Sequence, residues 1–274
     1  MSSTATTDRA PGMLQRFRKY RRKRIKRFGK NLIRGLAEFL GRQSKVGDTP
    51  LYDMELFPYL EPFEQHWQEI NAELAGILRH REAVPAFQEI SPDQMKISKG
   101  DKWRTFILYG FGTKSPRNCA RAPRATELLE SIPNLQTAWF SILAPGYHIP
   151  AHRGVTKGIL RCHLGLIIPK DRENCWIRIA DEKVSWEQGK AFVFDDTYEH
   201  EVFNNTDEER VILLFDFDRP MRFWGRLVNK TFVTLLKFSA YYQEPKKNMK
   251  DFEERFEAAT RRADANLEKM SDAA

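Results

Sequence analysis

Residues 159–168 read ILRCHLGLII and residues 210–217 read RVILLFDF, and these two runs decide the fold class. Both are apolar, have the length of a β-strand and are bounded by turn-forming or charged residues. Four further runs of strand character accompany them, at residues 137–143, 175–180, 190–194 and 200–204. Six short strands at this spacing predict a mainly β domain, built as an antiparallel sandwich or barrel.

The alternation of side chains along these two runs predicts a polar cavity. Successive residues of a strand point to opposite faces, so Arg161 and His163 share one face while the opposite face of the same run is wholly apolar. By the same rule Arg210 shares a face with Asp216. We therefore expect Arg161 and His163 to line a cavity that Arg210 can enter as a second cation.

Two histidines in this region have the setting of metal ligands. His152 opens the segment HRG at 152–154, and His200 lies in DDTYEHEV at 195–202, each at the predicted edge of a strand. Imidazole is a common ligand of iron, zinc and nickel. A single histidine is more often an ordinary hydrogen-bonded residue, and we interpret His66 and His80 in that way.

Arg161, Arg210 and His163 complete the pattern, because guanidinium groups bind carboxylates in a bidentate manner. A metal beside a site for a dicarboxylate indicates iron with 2-oxoglutarate.

Two longer blocks carry a resemblance to a known family. Residues 140–169, FSILAPGYHIPAHRGVTKGILRCHLGLIIP, and residues 186–216, WEQGKAFVFDDTYEHEVFNNTDEERVILLFD, resemble the core of the aspartyl/asparaginyl β-hydroxylases, a branch of the 2-oxoglutarate oxygenases. The resemblance is strong over residues 140–220 and weak over residues 103–131. It implies a double-stranded β-helix, the jelly-roll or cupin-like fold, with flanking α-helices. It also implies a hydroxylase that uses Fe(II), 2-oxoglutarate and O₂.

Carried over residue by residue, the resemblance implies that His152 and His200 bind the iron and that Asp196 lies near metal-bound water. The third ligand of the common facial triad is a carboxylate two residues after the first histidine, where this chain has Gly154. Either water fills that position, as the protein-hydroxylating branch implies, or the chain has lost iron and activity together.

The same resemblance implies the contacts of the cosubstrate. Arg210, ten residues after the second histidine, would pair with the distal carboxylate of 2-oxoglutarate with help from Ser141. Arg161 and His163 would contact the end of 2-oxoglutarate nearest the metal.

Three substrate hypotheses remain open: a peptidyl side chain, an acyl chain of a membrane lipid, and a free amino acid or a peptide on a carrier protein. The HRG and FDDTYEHEV segments resemble the branch that hydroxylates Asp and Asn side chains of proteins, which makes a peptidyl substrate the first prediction. DFDRPMR at 216–222 and a basic leader resemble the branch that hydroxylates acyl chains of membrane lipids. A non-catalytic jelly-roll binding module is the alternative from a different class.

The charge of the chain is concentrated at its start. Residues 1–45 hold 14 Lys and Arg against two acidic residues, whereas the whole chain has a net charge of +8. Apolar residues recur at near-helical intervals from 14 to 40, which predicts an amphipathic helix that binds anionic lipid headgroups, with nucleic acid the less favoured partner.

Cellular location follows from weaker signals. Cys119, Cys162 and Cys175 have no spacing that suggests disulfides or zinc, which favours a reducing compartment. No apolar run approaches the ~18 residues that span a bilayer. We expect a cytoplasmic protein, with peripheral attachment to the inner face of the membrane as the second possibility.

The predicted organisation has three parts. Residues 1–45 form a basic leader, disordered at its start, residues 46–222 form the dioxygenase domain, and residues 223–274 form a helical extension. Residues 63–80 and 125–131 are predicted helices within the domain. Residues 223–242 predict a helix that either lies at a membrane interface or packs on the barrel, and packing is favoured.

Overall fold

The computed structural model describes residues 33–92, 95–110 and 112–271. Eleven strands lie within these residues: β1 (Leu51–Tyr52), β2 (Trp103–Gly110), β3 (Thr113–Lys114), β4 (Leu135–Leu143), β5 (Tyr147–His152), β6 (Ile159–Ile167), β7 (Cys175–Ile179), β8 (Glu182–Ser185), β9 (Ala191–Phe194), β10 (His200–Asn204) and β11 (Arg210–Asp218). The described α-helices are α1 (33–43), α2 (Glu61–Gln65), α3 (Trp67–Leu78), α4 (Phe87–Ile90), α5 (Pro116–Ala120), α6 (Pro123–Glu130), α7 (Phe223–Lys237) and α8 (Ala240–Ser271).

The strands form two antiparallel sheets. A seven-stranded sheet has the order β1-β9-β6-β11-β4-β2-β3, and a four-stranded sheet has the order β5-β10-β7-β8. Few of these neighbours are consecutive in the chain, so each sheet is assembled from distant segments. This arrangement is the predicted mainly β core with flanking helices, in the double-stranded β-helix class.

Each face of the seven-stranded sheet packs against a different layer. The apolar side chains of β6 and β11, such as Leu164 and Phe215, are fully buried on the outer face, where they pack with Phe63 and Leu74 of helices α2 and α3. The inner face packs with the four-stranded sheet through a second apolar cluster around Trp186. Arg161, His163 and Arg210 share the inner face, as the alternation predicts, so the polar groups lie between the sheets.

All six predicted strands are present, with ends shifted by a few residues. Strands β2, β5 and β8 and the two short strands β1 and β3 were not predicted. Pro150 explains why β5 was not predicted, because proline cannot donate a hydrogen bond to a ladder and is confined to edge strands. β5 is indeed the edge of the four-stranded sheet.

The helices follow the prediction with one break. The predicted helix at 63–80 is divided into α2 and α3 at His66, and the predicted helix at 125–131 is α6. The C-terminal segment forms two helices, of which α8 places Phe256 in the apolar core 5.0 Å from the ring of Phe106. The division into three parts remains a prediction.

Most of the basic leader lies outside the described residues, because the description begins at residue 33 within helix α1. Across the described residues, no helix combines the length and the apolar composition needed to cross a bilayer. The three cysteines are buried and unpaired.

Candidate active site

His152 and His200 meet where β5 ends and β10 begins. The two residues are direct partners in the antiparallel ladder, and the ladder slips by one residue just beyond them, between His200 and Val202. Their ring centroids are 4.1 Å apart, with an angle of 54° between the ring planes. Two residues 48 positions apart are thus brought together by strand pairing.

Both imidazoles are oriented in the same way by the backbone. Nδ1 of His152 lies 2.8 Å from the carbonyl oxygen of Pro150, and Nδ1 of His200 lies 2.9 Å from that of Tyr198. A carbonyl can only accept, so each Nδ1 carries the proton and each Nε2 carries the lone pair. A histidine that ligates a metal through Nε2 usually donates its Nδ1–H to a carbonyl or carboxylate in this way.

The charge state of the pair also suits a metal. Burial, followed by the nearby His152, lowers the pKa of His200 to about 3. Burial likewise lowers the pKa of His152. Both rings are therefore neutral near pH 7, the form in which imidazole binds a cation.

Asp196 occupies the space where a third ligand would begin. A Cβ atom built on Gly154 would overlap the carboxyl carbon and both carboxyl oxygens of Asp196. The backbone N–H of Gly154 also donates to the carbonyl oxygen of Asp196 over 2.7 Å, which holds the two segments together. Glycine at 154 is therefore required by the position of Asp196.

No group of three or more His, Cys, Asp or Glu side chains within the described part of the chain could hold a metal. The candidate centre therefore has two protein ligands, with the carboxyl of Asp196 beside them. Burial raises the pKa of Asp196 to about 7, although the guanidinium of Arg161, 3.4 Å away, acts in the opposite direction.

Arg161 lies in the same region but is already paired with an acidic residue. Its Nε and Nη2 donate to the two carboxyl oxygens of Asp216 over 2.7 and 2.9 Å. Thr137 also donates to Asp216, over 2.6 Å. The pairing follows from the strand register, in which Arg161 of β6 faces Asp216 of β11. The predicted contact of Arg161 with 2-oxoglutarate remains a prediction.

Arg210 and His163 form a second polar group, deeper between the sheets. Both are almost fully buried, and the guanidinium carbon of Arg210 lies 4.6 Å above the ring of Trp186. The indole N–H of Trp186 donates to Nδ1 of His163 over 3.3 Å. Nε2 of His163 therefore carries the proton of the neutral ring.

Three donors of this group have no acceptor within the described part of the chain: Nε2 of His163 and both Nε and Nη1 of Arg210. A buried donor without a partner costs about 1–3 kcal/mol, and more when it is charged. Burial lowers the pKa of Arg210 to about 10, which still leaves it cationic. Unpaired donors beside a buried cation are the features of a site for an anion.

Ser141 lies close to this group in the ladder. It pairs with Ile212 of β11, two residues from Arg210 on the same face, and its hydroxyl accepts the indole N–H of Trp103 over 3.0 Å. The structure thus gathers the predicted anchors Ser141, His163 and Arg210 in one buried region.

A cavity of about 190 Å³ extends from His152 to the helices α4 and α8. His152, Arg161, Asp196 and Asp216 contribute to its polar part. Much of the remaining wall is apolar and includes Phe87, Ile90, Trp103, Ile107, Trp139 and Met249. Arg210 and His163 do not line this cavity, but they lie on the same strands as Leu214 and Arg161, which do.

Sequence reasoning did not identify Trp186, Trp139 or Met249 as parts of the site. Only the alternation of residues gave a signal for Asp216, which shares its strand face with Arg210. The partners of Trp186 and Met249 belong to strands and helices far away in the chain, so nothing in the local sequence indicates their positions.

Comparison with known proteins agrees with the resemblance described above. A family model described as aspartyl/asparaginyl beta-hydroxylase matches residues 64–220. An ornithine lipid ester-linked acyl 2-hydroxylase of Rhizobium tropici is 42% identical over 217 residues, which cover 79% of this chain and 77% of that protein. The human aspartyl/asparaginyl beta-hydroxylase is 36% identical over 166 residues, which cover 59% of this chain and only 21% of the human protein.

Similar solved structures include a Pseudomonas putida prolyl-4-hydroxylase, with 17% identity over 57% of this chain and 88% of that chain, at a TM-score of 0.38. The fold class therefore rests on the strand order and register given above.

Proposed function

Because the chain belongs to the aspartyl/asparaginyl β-hydroxylase family, we propose that it is an Fe(II)- and 2-oxoglutarate-dependent hydroxylase that acts on an acyl chain of a membrane lipid. The observation that carries the proposal is a largely apolar cavity whose polar end includes His152, one of the two paired histidines. Such a wall suits a hydrocarbon chain, because burial of apolar surface is favourable and polar groups of a substrate would lose their hydrogen bonds there.

The residues present fit the metal. His152 and His200 would hold Fe(II) through their Nε2 atoms, since both Nδ1 atoms are engaged by backbone carbonyls. Asp196 would accept a hydrogen bond from a water molecule near the metal, because its buried carboxyl lies beside Gly154. When bound, the iron and its cosubstrates would supply the oxidising power that replaces a C–H bond by a C–OH bond.

The residues also fit the cosubstrate. Arg210 would hold the distal carboxylate of 2-oxoglutarate with its guanidinium, whose Nε and Nη1 have no acceptor among the described residues. Nε2 of His163 would donate to another oxygen of the same molecule, and Ser141 lies two pairs along the ladder from Arg210. The unpaired N–H groups can donate hydrogen bonds to the carboxylate oxygens of a dicarboxylate, and burial strengthens each of these interactions.

The cavity would position the substrate and exclude water from the target carbon. Trp103, Ile107 and Trp139 would contact the chain along the inner face of the seven-stranded sheet. Met249 of α8 and Ile90 of α4, which pack with Ile107 in one apolar cluster, would extend this wall. The name of the Rhizobium protein, which is similar over most of both chains, supports an acyl substrate.

A peptidyl Asp or Asn side chain is the second candidate, and it was the first prediction from the sequence. The polar part of the cavity favours it, because Arg161 lies in the wall near His152 and could recognise a carboxylate. However, Nε and Nη2 of Arg161 already donate to the carboxyl oxygens of Asp216. We therefore rank the acyl chain above the side chain of a peptide.

The test is an assay of succinate release with purified protein, Fe(II), 2-oxoglutarate and O₂. An acyl-lipid and an Asp-containing peptide are offered in separate reactions, and the product is identified by a mass increase of one oxygen atom on either substrate. We expect oxygen in the acyl chain and none in the peptide. Oxygen in the peptide alone would establish the second candidate.

A wall variant sharpens the assay. Ile97 is half-buried and lines the cavity, so Ile97→Trp should shorten the space for a chain and reduce lipid turnover, while substrate-independent succinate release persists. Leu56→Trp, at an exposed leucine outside the cavity, is the matched control. A protein that binds neither Fe(II) nor 2-oxoglutarate would favour the non-catalytic binding module.

A further inference from the structure

Helix α7 is attached to the body of the protein by a narrow face. Gly225, Asn229 and Val233 recur every four residues and are its buried positions. Gly225 packs against Gln43, where a Cβ atom would meet the side chain of that glutamine at 2.5 Å. Asn229 donates through its side-chain nitrogen to the carbonyl oxygen of Gly158 over 3.0 Å. These contacts fix the orientation of the helix and the side that it turns away from the body.

The side turned away is apolar except for two exposed threonines, Thr231 and Thr234. Of the nine large apolar residues that are exposed within the described ranges, five lie between 223 and 238. Their exposures range from 48% to 79%, and at 3.6 residues per turn they fall within about 120° of the helix circumference. We call this surface, formed by Phe223, Trp224, Leu227, Leu235 and Phe238, the apolar face of α7.

Basic residues border the apolar face. Arg226 and Lys230 lie along one side of it, between the apolar face and the buried face, whereas Lys237 turns its ammonium toward Gly112 of the body. The helix contains no acidic residue. Isolated exposed apolar residues are normal on proteins, whereas a contiguous patch marks a surface of interaction. A patch of Trp, Phe and Leu edged by cations has the composition of a helix that lies in the interface of an anionic bilayer.

We infer that α7 is a membrane-docking helix whose apolar face enters the headgroup region of an anionic lipid bilayer, while Arg226 and Lys230 bind the headgroups. The charge complementarity selects this occupant. A second copy of the chain would bring Arg226 and Lys230 toward the same two cations of its partner, and a neutral apolar partner would leave them without counter-charges. The inference stands independently of the proposed reaction.

The placement of the cavity agrees with this orientation. Only residues 238 and 239 separate α7 from α8, and α8 contributes Pro245, Lys246 and Met249 to the cavity wall. A rise of 1.5 Å per residue places Lys246 about 9 Å along α8 from its first residue. A bilayer that contacts α7 would therefore lie close to the wall of the cavity.

Quenching of tryptophan fluorescence tests the inference. The full chain is mixed, without iron or 2-oxoglutarate, with vesicles of phosphatidylglycerol and phosphatidylcholine whose acyl chains carry bromine. The basic leader contains no tryptophan, since the first is Trp67, so docking by the leader alone leaves Trp224 in water. We expect strong quenching by anionic brominated vesicles, and we expect Trp224→Phe to remove most of it.

Surface variants provide the second measurement. Substitution of Leu227, Leu235 and Phe238 by Ser changes only exposed side chains, so the fold should persist, as a thermal melt would verify. The vesicle partition coefficient should fall by a factor of about 10 to 100. Leu56→Ser, which removes an exposed leucine of another element, should leave it unchanged.

Three results would overturn the inference. Quenching that persists in Trp224→Phe would place another part of the protein at the bilayer. Equal partition of the triple variant and the wild type would show that the apolar face takes no part. A dimer in sedimentation that the triple variant abolishes, without vesicle binding, would assign the face to a second copy. Each result is read without turnover, so failure of the proposed reaction does not affect it.

Discussion

Gly154→Ala provides a sharp test of the candidate centre. A Cβ atom at residue 154 would meet three atoms of the Asp196 carboxyl, all inside the 3.0 Å that real Cβ contacts respect. The backbone of Gly154 is not in the left-handed region, so the constraint is space alone. Overpacking of this kind costs about 1–3 kcal/mol, and here the displaced group is a buried carboxyl.

We expect Gly154→Ala to lower the free energy of unfolding in urea by about 1–3 kcal/mol in the metal-free protein. Asp196→Ala removes the obstructing atoms, so the double variant should lose less than the sum of the two single costs. The expected coupling is about 1–3 kcal/mol, in the range of residues in contact. Gly76→Ala, in helix α3 with no atom near the new Cβ, is the matched control and should be neutral or slightly stabilising.

Two results would refute this reasoning. Stability of Gly154→Ala within about 0.5 kcal/mol of the wild type would mean that the carboxyl of Asp196 is not held in the space beside residue 154. Additive costs in the double variant would mean that the two positions are not in contact. Neither result depends on activity, so the geometry is tested separately from the reaction.

Three further predictions concern single side chains. His200→Ala should abolish turnover and weaken Fe(II) binding in anaerobic calorimetry, whereas His148→Ala, an exposed histidine on β5, should change neither. Arg210→Met should raise the dissociation constant of 2-oxoglutarate about 30-fold or more. The ligand-free variant should be at least as stable as the wild type, because the substitution removes a buried cation whose Nε and Nη1 have no acceptor among the described residues. A loss of stability without a change in affinity would contradict this role. Burial raises the pKa of Asp218 from the ordinary 3.8 to about 6 in the folded protein. A proton on this carboxyl therefore stabilises the native state fully below pH 3.8, and that stabilisation is lost as the pH rises through 6. Asp218→Asn should therefore match the wild type near pH 4 and exceed its stability at pH 7 in urea titrations, and a constant difference between the two proteins would disprove the shift.

The strands were accessible from the sequence because their signal is local. β6 and β11 are long apolar runs, and the alternation of residues assigned Arg161 and Arg210 to the inner face correctly. β5 carries no such signal, since it is short, exposed and interrupted by Pro150. The pairing of β5 with β10 depends on packing across 48 residues, and no period in the sequence encodes it.

The site could be predicted only in part, for the same physical reason. The histidines and arginines were identified through motifs whose spacing the resemblance supplied. The bidentate pair of Arg161 and Asp216 was not predicted, because it depends on the register of β6 against β11. A shift of one residue in that register would place the two side chains on opposite faces of the sheet. The same limit applies to α7, which was expected to pack on the barrel and which does so through one face while leaving the opposite face exposed.

The two sheets position different groups of the candidate site. The four-stranded sheet brings His152 and His200 together at the ends of β5 and β10, and the seven-stranded sheet holds Arg210 and His163 on its inner face. The metal ligands and the anion site therefore depend on different ladders. A substitution that loosens β5, at the edge of its sheet, should weaken metal binding before it affects the affinity for a dicarboxylate. The reverse order would hold for β11, which lies in the middle of its sheet and is buried along nearly its whole length.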